Sequence, residues 1–167
     1  MCSLVTMGAK VELKGSFEPL LKGFTNKTER GILRGTLRRT AQQVILKAAK
    51  ANLKDVGARR YVKNLTVKTS VTNQVAGARI GAKKGSPLGK IGHLIEGGTR
   101  PHLLRPKSAQ VMVSKDGIFR GRSAMHPGTR SRPWLNPALN DNIRQAVTRF
   151  GQLIVEEIDK AIAKGKR

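Results

Sequence analysis

The chain has 167 residues, 38% of them hydrophobic, enough for one folded domain with a core of its own. Its 33 Lys and Arg against 10 Asp and Glu leave a net charge of +23, a self-repelling excess that calls for a polyanion or an acidic protein partner. No apolar run approaches the roughly 20 residues that cross a bilayer, the single Cys2 forms no internal disulfide, and 4% aromatics leave little to stack on bases.

Residues 1–10 lack the basic and apolar regions of a signal peptide and are expected to be a disordered lead-in, with Met1 and Met7 both candidate starts. A single domain is expected over residues 11–167. Val11 and Leu13 alternate with polar neighbours as a short strand does, and Phe17, Leu20, Leu21 and Phe24 share one face of a short helix. Asn26 with Glu29 resembles a capping box ahead of the longest helical pattern, residues 27–53. Gly31 and Gly35 weaken that helix unless another backbone comes close. Asp55-Val56-Gly57 ends it.

Alternation over residues 64–80 predicts a hairpin, with Gly77 either weakening its second strand or marking a bulge. Residues 82–90 read as a Gly- and Lys-rich loop without the spacing of a phosphate loop, and residues 91–96 as a short helix or strand. Asp116-Gly117, between Val111, Val113 and Ile118, Phe119, predicts a second hairpin. Asn136 ahead of Pro137 reads as the cap of a helix start pinned by Trp134 and Leu135, and a C-terminal amphipathic helix ends near Gly165. The order is that of an α+β domain, an antiparallel sheet of about four strands packed against a long N-terminal helix and a C-terminal helix.

Positive charge gathers in clusters. Arg30, Arg34 and Arg38 line one helix face, suited to DNA phosphate or an acidic neighbouring subunit, or else simply solvated. Arg59 and Arg60, beside Tyr61, form a second cluster, and Lys83, Lys84 and Lys90 a third. Charge spread over loops suits sequence-independent contact with phosphates. His93, His102, His126 and Cys2 lack zinc-site spacing, and Glu96 lacks a partner carboxylate. No catalytic residue, metal or cofactor is expected; a salt bridge from Glu96 to an arginine, within the chain or across a subunit boundary, is.

Two segments carry more specific information. His93-Leu94-Ile95-Glu96-Gly97-Gly98-Thr99-Arg100-Pro101 is followed by His126-Pro127-Gly128-Thr129-Arg130-Ser131-Arg132-Pro133-Trp134-Leu135-Asn136-Pro137-Ala138-Leu139. The pair resembles the phage tail-completion and head–tail joining family, which includes minor tail protein Z of lambda-like phages. That family has a Glu-aromatic-Gly-Thr segment, then Arg-Pro-Phe-Leu-x-Pro-Ala and a C-terminal helix. Gly97 stands here for the aromatic and Trp134 for the Phe, while Glu96, Gly98, Thr99, Pro133, Leu135, Pro137 and Ala138 follow the pattern. The resemblance implies a structural virion protein at the neck, assembled in the host cytoplasm. It would form a ring, by default a hexamer, that caps the tail tube and meets head-closure and neck proteins around the passage of genomic double-stranded DNA. The alternative reading from charge alone is a sequence-independent nucleic-acid-binding protein of ribosomal or nucleoid type.

Overall fold

A computed structural model describes residues 8–13, 26–72, 76–106, 111–112 and 121–165. The short helix expected at 17–24 and the Asp116-Gly117 turn lie outside those residues. The domain is α+β, with antiparallel strands packed against N- and C-terminal helices.

Strand β1 (Gly8–Leu13) begins three residues earlier than its alternation suggested, inside the segment expected to be a disordered lead-in. It pairs with β3 (Ala76–Ala82), which pairs on its other side with β2 (Leu65–Val71), giving the order β1-β3-β2. The register runs unbroken through Gly77, so that glycine marks no bulge. Instead of one four-stranded sheet there are two units. The second is a ribbon of β4 (His102–Leu104) and β5 (Ala124–His126).

The long helix is one continuous rod with a change of winding inside it: α1 (Asn26–Thr40), a π-helical turn (Ala41–Leu46) and α2 (Lys47–Asp55). The cause is visible in the sequence. Leu33, Leu37, Ala41, Ile45, Ala49 and Leu53 are all buried, and each follows the last by four. A four-residue step overshoots a 3.6-residue turn by about 40°, so five steps on a straight α-helix would carry Leu53 about 200° from Leu33. The wider π turn absorbs part of that drift and keeps the row on the core. Around Gly31 there is nothing within 4 Å of where a Cβ would sit, so no close backbone accounts for that glycine.

Gly57, with φ of 79°, ends α2, and a 3-10 turn (Arg59–Asn64) leads into β2. Helix α3 (Pro87–Gly97) starts inside the expected loop, because Ser86 caps it and Pro87 takes the first turn. Lys90 is therefore helical. A short α4 (Leu135–Asn140) and the long α5 (Ile143–Ala163) complete the chain. Helix α1 packs on α5 and on β2 and β3, and α2 packs on α4. One core cluster gathers Ile45, Leu53, Ile80, Leu88, Trp134 and Leu135; a second gathers Leu33, Leu37, Phe150 and Ile154 between α1 and α5.

Candidate functional site

The two segments singled out by sequence meet in one clasp. Glu96, near the end of α3, is only 5% exposed. Its Oε2 accepts the backbone N–H of Trp134 and of Leu135, both at 2.9 Å, and its Oε1 accepts that of Asn136 at 2.9 Å. These are donors that a helix start leaves unpaired, and the next residue, Pro137, has none to satisfy. A buried carboxylate is thus held by three donors at the positive end of a helix.

This corrects two expectations. Glu96 makes no salt bridge among the described residues; its oxygens are turned to the backbone, while Arg100, Arg130 and Arg132 are exposed. Nor does Asn136 cap the helix. Trp134 occupies the cap position, without a capping side chain of its own, and the acceptor comes from 38 residues away.

Backbone pairing extends the clasp. Gly98-Thr99-Arg100 lies antiparallel to Gly128-Thr129-Arg130, an identical tripeptide. Thr99 N donates to the Thr129 carbonyl at 2.9 Å and Thr129 N to the Thr99 carbonyl at 3.1 Å. The two hydroxyls are 2.7 Å apart. Both glycines have positive φ, 70° and 86°. A Cβ on Gly98 would collide with the Thr129 carbonyl oxygen, and one on Gly128 with that of Thr99, so the close approach requires glycine on both sides. Ser131 Oγ donates to the Glu96 carbonyl at 2.6 Å and Arg132 N to that of Ile95 at 2.8 Å. Trp134, 1% exposed, packs into the main core with Leu135 and Ala138, and its carbonyl accepts Asn52 Nδ2 at 3.0 Å. Pro133 is exposed beside it. Gly97, where the related pattern has an aromatic, faces open space that a side chain would enter without obstruction.

The ribbon is rooted in this clasp. From the Thr99–Thr129 bridge the same register continues to His102 opposite His126, Leu103 opposite Met125 and Leu104 opposite Ala124. The rings of His102 and His126 lie 5.0 Å apart, a pairing that their separation in sequence hid. Gly128 N donates to His126 Nδ1, whereas His102 Nδ1 faces the Arg100 carbonyl and so carries a proton. Among the described residues no three metal-ligating side chains come together.

The expected basic residues divide into two regions. Arg30, Arg34 and Arg38 are exposed on α1. Arg59 and Arg60 are exposed on the 3-10 turn, where Arg60 lies 4.7 Å over the Tyr61 ring. Lys83 and Lys84 are exposed in the loop and Lys90 on α3. These last two groups adjoin: Lys83 N donates to the Asn64 carbonyl at 2.7 Å, and α3 packs on the 3-10 turn. Among the described residues none of Arg34, Arg38, Arg59, Arg60, Lys83, Lys84 and Lys90 enters an ion pair. Ion pairs among the described residues lie along α5. Arg39 meets Glu157 at 3.0 Å, and its hydrogen bond holds that carboxyl below the ordinary carboxylate range, with Lys160 assisting and partial burial opposing.

No family model, curated protein or solved structure matches the chain. Among the described residues no helix is long and apolar enough to cross a membrane.

Proposed function

We propose that this protein is a structural subunit of a tailed, double-stranded DNA phage: a tail-completion or neck protein that assembles as a ring, caps the tail tube and joins it to the head. The observation that carries the reading is the clasp. The two segments that resemble the tail-completion family form one structural unit, in which Glu96 caps the helix that Trp134, Leu135 and Pro137 begin. The positions that depart from the pattern fit it as well, since Trp134 is buried in the core and Gly97 faces open space. Its work is assembly without turnover. The exposed cations of Arg59, Arg60, Lys83, Lys84 and Lys90 supply positive potential for genomic DNA or an acidic neighbour.

Mass spectrometry and electron microscopy of tailed particles from the genome encoding this chain provide the test. The protein should be found at the neck, as a ring; particles that join and lack it would refute the reading. A second reading, a ribosomal or nucleoid type of nucleic-acid-binding protein, draws on the same unpaired cations. It requires the chain to be bound to cellular RNA or DNA without particles, with affinity that falls steeply with salt.

A further inference from the structure

Two exposed apolar surfaces in this chain differ in their charged neighbours: the first has only basic ones, and the second is mixed, with exposed Arg144 three residues before Val147 and exposed Asp159 beside Val155 and Ile162. The first is the ribbon. Leu103 and Met125 are cross-strand partners and so share one face, and they are 46% and 68% exposed. The ribbon is flanked by Arg100, Arg105 and Arg122, all exposed, with no acidic residue in its described part.

The second surface is a strip of α5 beside its core-facing side. Val147, Val155 and Ile162 are 51%, 53% and 45% exposed, and Gly151 between them leaves a notch with nothing within 4 Å of its missing Cβ. At one end Val147 and Phe150 border an apolar cleft that reaches Leu37 and Ile80. Toward the other end Asp159 lies four residues after Val155 and three before Ile162, hence next to both. Asp159 is exposed and forms no ion pair among the described residues, and Asp141 just ahead of α5 is likewise exposed. Asp141, Glu156, Glu157 and Asp159 here are balanced by Arg144, Arg149, Lys160 and Lys164, and Glu156 and Glu157 are already paired, so Asp159 is the acid left beside the strip.

We propose that these surfaces belong together in different copies of the chain: the β4–β5 ribbon of one subunit docks on α5 of the next. Met125, flexible and unbranched, sets its side chain against Val147 and the cleft. Leu103 covers the strip toward Val155, and Arg105 and Arg122 approach Asp159. Burial of apolar area drives the contact, and the approach of Arg105 and Arg122 to Asp159, away from Arg144 at the other end, orients the ribbon along the strip. Because the two surfaces differ, the contact is head-to-tail, the kind that closes a ring or extends a filament. It rests on the ring reading for closure, and on this chain's own surfaces for the contact.

The test uses three variants of the full chain, each adding one positive charge at an exposed position: Met125→Lys on the ribbon, Val155→Lys on α5 and Ala51→Lys on α2 as the control. Sedimentation velocity at moderate ionic strength reads association, and thermal melting confirms that each variant folds. The wild type and Ala51→Lys should associate with rising concentration. Met125→Lys and Val155→Lys should each associate about tenfold or more weakly, as loss of an interface hot spot does. An equimolar mixture of those two retains one intact ribbon and one intact strip, so it should form one-to-one dimers and nothing larger. A wild type that stays monomeric, a single variant that associates like the wild type, or a mixture that stays monomeric would each overturn the contact. Dimers in the mixture together with absence from the particle neck would sink the phage reading and leave the contact standing; presence at the neck with unaffected variants would do the reverse.

Discussion

The clasp and the ribbon that grows from it follow each other along one antiparallel ladder, yet they are stabilised in opposite ways. In the clasp the backbone N–H groups of Trp134, Leu135 and Asn136 all have a partner, Trp134 is 1% exposed, and two glycines let the strands approach closely. A few residues further on, all three residues of β4 are exposed, and Leu103, Leu104 and Met125 present apolar surface to water. Isolated two-stranded ribbons are marginal in water, so the clasp is what fixes the base of this one. The difference separates residues that hold the fold from apolar residues left exposed on the surface.

The largest effect should come from the clasp's aromatic. Trp134→Ala should lower the unfolding free energy by about 3–5 kcal/mol, the range for emptying a large buried site, read by denaturant titration. A small loss would mean that Trp134 does not anchor α4. Next comes the cap. Glu96→Gln keeps the shape but turns an N–H₂ group toward backbone donors, so it should cost about 2 kcal/mol, typical of a hydrogen bond to a charged group. Gly128→Ala meets both a positive φ and the Thr99 carbonyl, and should cost about 1–3 kcal/mol, the range for stored backbone strain. The same change at Gly31, in open space, should instead stabilise by about 1 kcal/mol.

A smaller effect depends on pH. The Glu157 pKa is lowered in the folded state, so its contribution is fully present above its unfolded value and is lost as pH falls through the lowered folded one. Glu157→Gln should therefore destabilise by less than about 1 kcal/mol at neutral pH, since the pair with Arg39 is partly exposed, and by nothing in strong acid. A difference that persists in acid would assign the loss to packing. On the ribbon, Leu103→Ser and Met125→Ser should change the melting of the dilute protein by no more than about 0.5 kcal/mol. A large loss there would erase the contrast between the two regions.

Much of the scaffold could be read from residues in sequence order. The hairpin of β2 and β3 was legible in its alternation, the C-terminal helix in its apolar spacing, and a helix start near Pro137 in its flanking residues, although the cap falls at Trp134 and not at Asn136 as expected. What could not be read this way depends on distance. Glu96 seemed destined for an arginine because local rules see only charge; its acceptor role appears only when α3 lies against α4. Asn136 ahead of Pro137 offered a local cap, so nothing nearby called for an acceptor from elsewhere. Two signals were present: the repeated Gly-Thr-Arg, and Ser86-Pro87, which marks the helix that begins inside the expected loop. The π turn was announced by the steady four-residue spacing of buried residues, which a 3.6-residue helix cannot hold on one face.

The Glu96 carboxylate joins the two segments by capping α4. Amide hydrogen exchange at Trp134, Leu135 and Asn136, compared between the wild type and Glu96→Gln, tests it most directly. These three amides should be among the slowest in the wild type and should exchange on the order of tenfold or more faster in the variant, the factor expected for a loss above about 1.4 kcal/mol. The amides of Leu103 and Met125 should stay unchanged. Rapid exchange at the three positions in the wild type, or equal rates in both proteins, would contradict the capping.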